Sequence, residues 1–351
     1  MPPNLPPNLP RILLALGIGA TGGAVFSGLG LPLPWMLGAL FVTMVAAVAG
    51  LPVLAPARLR APVVAVIGVL LGSGFTPDMI AQAGDWAVSL GILAVYCVAV
   101  ALVVVPFYRF AGRMDWVTAY FAGMPGGLTE MIEIGEANGA RPVPVILAHS
   151  LRIVVTIAAI AFWFRYVQGH AVGAAPLGPA AHLGPLDATL LLASAVLGSG
   201  LGLRLGWPAP TFLGPLFLSA LLHLSGLTAS APPGLVVILA QICLGTVLGC
   251  RFSGISARVL APALGLCVGA TGLTLGLALL AASAMRGLVG TDLETGLLAL
   301  SPGGMTEMGL IALAIKADVA LVTLHHVMRI LFVIVLAPLA FRLGFRHRVR
   351  G

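Results

Sequence analysis

Charge is what this sequence lacks. Only 8% of its 351 residues are charged while 60% are hydrophobic, and the mean hydropathy is +1.10. A folded soluble domain carries about 25% charged residues. No soluble surface can be assembled from this composition, so an integral membrane protein is expected. Lysine is almost missing: Lys316 is the single one among eighteen basic residues, and it follows Ile315, which removes a phosphate-binding Gly-Lys loop. There is no HExxH, and seven scattered histidines do not suggest a copper or iron site. The four cysteines, Cys97, Cys243, Cys250 and Cys267, lie in apolar stretches without a CxxC pair and read as small buried hydrophobes. No catalytic residues, metal or cofactor are expected.

The alternating ten-residue segments of a membrane barrel are also missing. The apolar runs are longer, are separated by Pro, Gly and Arg, and read as helices. The net charge of +7 sits mostly in short loops. That is a topological signal of membrane proteins, and direct nucleic-acid binding is not expected. The basic tail, Arg342, Arg346, His347, Arg348 and Arg350, suits lipid headgroups and is too short for a DNA-binding domain. No small-residue cleavage site follows Met1–Arg11, so the first span reads as retained.

What is present is one module written twice. Pro125-Gly126-Gly127-Leu128-Thr129-Glu130-Met131 returns as Pro302-Gly303-Gly304-Met305-Thr306-Glu307-Met308, 177 residues later. At the same offset His149 and Arg152 map onto His326 and Arg329, and Gly72 and Phe75 onto Gly249 and Phe252. Pro32-Leu33-Pro34 and Leu37-Gly38 pair with Pro208-Ala209-Pro210 and Leu213-Gly214 at an offset one residue shorter. The expected division is a first membrane repeat at 1–171, an external linker at 172–186 and a second repeat at 187–351.

Membrane helices are expected at about 12–29, 34–51, 61–76, 86–108 and 143–166. In the second repeat they are expected at about 187–204, 211–228, 234–250, 259–285 and 319–341. The motif segments, 115–142 and 292–318, are too short for two crossings of about 20 residues each. Each is a broken crossing helix or a re-entrant hairpin. The ten residues from Asp115 to Pro125 span ~15 Å as helix, enough to reach the midplane. Pro125 cannot continue the hydrogen-bond ladder, and Gly126-Gly127 allow a reversal.

Equivalent loops have exchanged their charge. Arg58 and Arg60 follow the second helix and Asp78 and Asp85 the third; in the other repeat 229–233 is uncharged and Arg251 and Arg258 follow the third helix. Opposite orientation of the two repeats explains the exchange and requires an odd number of crossings in each. The expected fold is therefore an all-α polytopic membrane protein of two inverted repeats, each with five transmembrane helices and one re-entrant hairpin. Both termini would be cytoplasmic in a bacterial inner membrane, with the two tips meeting near mid-bilayer.

After each PGG a half-helix begins whose first N–H groups are unpaired and can hold an anion. Gly126, Gly127, Thr129 and Glu130, and their equivalents Gly303, Gly304, Thr306 and Glu307, form that first turn. The plainer alternative is local: the carboxylate complements its own helix terminus and Thr caps it. His149 with Arg152, and His326 with Arg329, are spaced i,i+3 and share a helix face at membrane depth. An intramembrane arginine needs a partner. It is a salt bridge to Glu130 or Glu307, a substrate, or both. His325, matched by Ala148, is either a proton relay or a packing residue near the interface. Glu133 and Glu136, matched by Leu310 and Leu313, suggest a solvated mouth. Glycines 17, 19, 22, 23, 198, 200 and 202 read as helix-packing positions.

The doubled PGG[LM]TEM motif resembles the AbrB family of membrane proteins over nearly the whole chain. That family carries the labels ammonia monooxygenase and transcriptional regulator, and the resemblance implies a role in regulating gene expression. The plan also resembles 2-hydroxycarboxylate and glutamate–sodium symporters, whose tips read Gly-Gly-x-Gly where this chain has Thr129 or Thr306. Two functions from different classes follow. The first is a secondary transporter of a small polar or anionic solute, coupled to H⁺ or Na⁺. The alternative is a membrane sensor that regulates expression indirectly. Partners are the bilayer, the solute and the coupling ion, and self-association is compatible with either. Cysteine labelling should place positions 58 and 258 in the cytoplasm and 78 and 230 outside; finding 58 and 258 on opposite sides would end the inverted arrangement.

Overall fold

The computed structural model describes residues 8–77, 79, 84, 86–170, 172 and 183–345, and among these every regular element is helical. In the first half the helices are α1 (Leu9–Gly28), α2 (Pro34–Val48), α3 (Ala57–Gly72), α4 (Trp86–Phe110), α5 (Trp116–Gly123), α6 (Leu128–Ala137) and α7 (Pro142–Phe162), the last running into a π-turn at Trp163–Val167. In the second they are α8 (Pro185–Arg204), α9 (Pro210–Leu224), α10 (Gly234–Cys250), α11 (Ala257–Val289), α12 (Leu293–Leu300), α13 (Met305–Ala314) and α14 (Val319–Phe345). Asp78, Asp85, most of the linker and the tail beyond Phe345 lie outside the described residues.

Among the described residues six helices, α1, α4, α7 with its π-turn, α8, α11 and α14, are long and apolar enough to cross a membrane. Their outward faces keep Val95, Leu102 and Leu280 at least 70% exposed. Apolar surface of this kind is stable in hydrocarbon and not in water. Among the described residues the chain is all-helical, and its long apolar helices are consistent with a polytopic membrane protein. The elements at the other expected spans, α2, α3, α9 and α10, hold only 15 to 17 residues. They are nonetheless well covered by protein: twelve of the seventeen residues of α10 are buried.

Local sequence sets the starts of these helices. Prolines occupy the first positions of α1, α2, α8 and α9, where a missing N–H costs nothing. Leu33 and Ala209, each set between two prolines, take left-handed backbone at φ 42° and 46°. A following proline disfavours the right-handed helical region and so favours the break there.

The chain folds as two compact units, each assembled from both halves of the sequence. One contains Met1–Asp78, Ala158–Val259 and Gly309–Val319; the other contains Met79–Ile157, Leu260–Met308 and Ala320–Gly351. In the first unit glycine lets backbones touch. A Cβ on Gly68 or Gly72 of α3 would strike the carbonyls of Phe212 and Leu216 on α9. A Cβ on Gly245 or Gly249 of α10 would strike those of Met36 and Leu40 on α2. The same crossing is thus made twice, each time between a third helix and the second helix of the other half. Gly22 meets Gly38 as Gly198 meets Gly214. Of the glycines expected to pack, Gly17 and Gly200 have open space instead.

This contrast predicts opposite effects. Gly245→Leu should cost about 1–3 kcal/mol by overpacking and lower the melting temperature in detergent. Gly200→Ala should be neutral or stabilise by up to about 1 kcal/mol through helix propensity. Equal responses at the two positions would contradict the close crossing of α10 and α2.

Candidate functional site

All twelve candidate site residues lie in the second unit. The first motif segment is anchored at its foot by Asp115, whose carboxylate accepts from the Thr118 N–H at 2.8 Å and caps α5. The chain returns to that foot after α6. The Arg141 N–H donates to the Thr118 hydroxyl at 2.9 Å, and the Arg141 guanidinium pairs with Asp115 at 3.2 Å. The segment is therefore a hairpin of two half-helices that reverses at Pro125-Gly126-Gly127. Asp292 caps α12 in the same manner, accepting from the Thr295 N–H at 2.8 Å.

Each break is built identically. The residue before the proline, Met124 or Ser301, turns extended at ψ 137° or 144°, as a pre-proline residue prefers. A Cβ on the first glycine, Gly126 or Gly303, would press into the side chain of Met131 or Met308, both fully buried. A Cβ on the second, Gly127 or Gly304, would overlap the carboxylate of Glu130 or Glu307. That carboxylate belongs to the third residue of the new half-helix and folds back over its N-terminal glycine. The two glycines are required because the Met and the Glu of the motif occupy the space above them. The motif is one interlocked turn.

Where one half-helix ends, its last carbonyls have no helical N–H to accept. The i,i+3 pair supplies donors. In the first copy His149 Nε2 donates to the Phe121 carbonyl at 2.8 Å. Arg152 donates from its two terminal nitrogens to the Met124 and Gly126 carbonyls, both at 2.9 Å. In the second copy His326 Nε2 donates to Leu298 at 3.1 Å, and Arg329 donates to the carbonyls of Ser301 and Gly303. Every partner sits at the 177-residue offset. The positive guanidinium also lies at the negative end of the half-helix dipole, where a cation is stabilised.

The expected alternative of a Glu130–Arg152 or Glu307–Arg329 salt bridge needs correction. Among the described residues the partners of both guanidiniums are neutral: backbone carbonyls, with the His326 ring added for Arg329. Each carboxylate curls toward its own helix start, so arginine and glutamate serve opposite sides of the same break.

The copies differ in detail. His326 Nδ1 accepts from Arg329 at 2.9 Å, which together with its Nε2 bond fixes a neutral ring. Among the described residues His149 Nδ1 is buried without a partner. Glu307 is 6% exposed while Glu130 is half-buried. Thr306 is half-buried, and the side chain of Thr129 lies outside the described ones. Glu133 and Glu136 are exposed where Leu310 is fully buried, in keeping with a wetter first hairpin. His325 is fully buried, with Nδ1 donating to the Leu321 carbonyl at 2.9 Å.

A family model described as "Transition state regulatory protein AbrB" matches residues 35–344, including both motif copies. The chain belongs to the AbrB family. Among its relatives, "Uncharacterized protein YhjN" of Bacillus subtilis (strain 168) is 26% identical over 98% of this chain and 95% of its own length. "Putative regulator AbrB" of Escherichia coli (strain K12) is 24% identical over 89% of this chain and 90% of its own. In this AbrB-family chain the site also involves groups that motif reading did not single out. The two methionines had a signal, being the last letter of each repeated motif. The carbonyls of residues 121, 124, 298 and 301 had none, since any side chain carries one. Tyr96 of α4 is buried, and among the described residues its hydroxyl has no partner.

Two consequences are measurable by unfolding in detergent. Arg152→Lys keeps the charge but cannot fork to two carbonyls and should cost about 1–3 kcal/mol. Adding Glu130→Gln to Arg152→Met should recover nothing; recovery would restore the salt-bridge interpretation.

Proposed function

We propose that the chain is a secondary transporter of a small anionic solute, with the two PGGxTEM tips forming the binding elements. The observation that carries this reading is that each broken helix has an ionisable carboxylate folded over its own positive N-terminus. The arginine and histidine donors already satisfy the broken end, so a carboxylate held beside each break at membrane depth points to a site. The same first-turn N–H groups that attract Glu130 and Glu307 would attract a solute anion. Carboxylate and solute therefore compete for one place. Protonation of the carboxylate removes the competitor and lets an anion enter together with a proton, which favours H⁺ over Na⁺ as the coupling ion. Arg152 and Arg329 hold the breaks open from the carbonyl side.

In this reading the sequence repeats are two inverted five-helix modules with re-entrant hairpins, in an inner membrane with cytoplasmic termini. The doubled Asp caps, doubled His–Arg clamps and reciprocal glycine crossings support it, because each recurs at the repeat offset. The regulator names of the family and of one relative favour a second reading, in which the same tips bind a solute as a signal and do not move it.

The deciding experiment is uptake into proteoliposomes across a panel of small organic anions, with imposed pH and Na⁺ gradients. Transport predicts concentrative uptake of at least one anion driven by an inward proton gradient. The Glu130→Gln, Glu307→Gln pair should keep solute exchange and lose the proton drive. Solute binding without flux under any gradient would favour the sensor.

A further inference from the structure

The second unit contains a cavity of about 350 Å³ lined almost wholly by apolar side chains. Val98, Leu102 and Pro106 of α4 face Val333, Leu336 and Ala340 of α14 across it. Its inner end is the back of the first tip, Met124 and Pro125, and its outer end is Trp116. That outer end lies at the foot of the hairpin, beside the solvent-exposed Asp115–Arg141 pair. Val98 and Leu102 line the cavity and are also 54% and 71% exposed, so one side is open. On a membrane-crossing helix that side faces hydrocarbon.

Two features identify the occupant. The lining of α4 runs from Cys97 to Pro106, about 14 Å of helix, close to the ~15 Å of one leaflet's hydrocarbon. The row of Ala101 and Val105 reaches Arg109 at its next turn. The Arg109 guanidinium lies 5.6 Å over the Trp116 ring and donates to the Met114 carbonyl at 2.9 Å. Among the described residues its buried Nε has no acceptor. An apolar slot of leaflet length thus ends at an aromatic ring and a cation, the arrangement of an interfacial anchor. We propose that this groove binds one acyl chain of an anionic phospholipid, with the lipid phosphate at Arg109 and the end of the chain packed against the back of the Pro125 tip. The site does not depend on what the tips bind. Its consequence is that the lipid braces the carbonyl side of the first break, where Arg152 holds Met124.

The test uses the whole chain in phosphatidylcholine vesicles doped with phosphatidylglycerol brominated on its acyl chains. The difference in emission between wild type and Trp116→Phe reports quenching of Trp116. Quenching should saturate while the brominated lipid is still a minority, whereas exposed Trp163 should follow the bulk fraction. Brominated phosphatidylcholine should compete about fivefold less well, the effect of one arginine near a headgroup. Ala101→Phe fills the groove and should abolish saturation. Arg109→Gln should keep saturation and lose the headgroup preference. Trp116 quenching proportional to bulk composition for both lipids would overturn the proposal. So would saturation unchanged by Ala101→Phe, or no quenching at all, which would mean that a solute other than lipid fills the slot.

Discussion

An α-helix interrupted in an apolar interior leaves donors on one side of the break and acceptors on the other, and the second unit is organised around these two breaks. Water would satisfy both sides at a surface. In hydrocarbon each orphaned group costs several kcal/mol. The carbonyl side is answered by arginine and histidine from α7 and α14, and on the other side the carboxylate of the third half-helix residue lies over the glycine that precedes the half-helix. Without the arginine and histidine donors, a Pro-Gly-Gly sequence at this depth would leave its carbonyls orphaned.

The same constraint explains the composition of the motif. The Met covers one glycine and the Glu the other, so neither glycine can be replaced without moving a side chain that the break needs. Arginine suits the clamp better than lysine because its planar fork reaches two carbonyls at once. It also accounts for the near-absence of lysine at membrane depth, although the interfacial arginines have no such geometric demand.

Identical construction does not make the copies equivalent. One carboxylate is half-buried beside a wet half-helix, and the other is almost fully buried beside an apolar one. One histidine is locked neutral by its own arginine, and the other has a ring nitrogen without a partner among the described residues. A protein that only needed two stable turns would have little cause to differ here. The two carboxylates therefore sit in unequal surroundings within one unit.

The sequence by itself determined the class of protein, the positions of the helices and the place of the breaks. Composition excludes a soluble surface, apolar runs of sufficient length become helices, and Pro-Gly-Gly ends them wherever it occurs. It also determined which residues would be special, because a seven-residue string and an His-x-x-Arg pair returned at one offset. It did not determine what the arginines hold. A charge count pairs Arg152 with Glu130, but the guanidinium reaches backbone carbonyls 28 and 26 residues away. Backbone acceptors carry no letter in the sequence, and which of them are orphaned is known only when the chain has reversed. Nor could periodicity show that each third helix would pack on the second helix of the other half, or that a groove would open beside the first tip. Those depend on the space between distant segments, which tertiary packing alone decides.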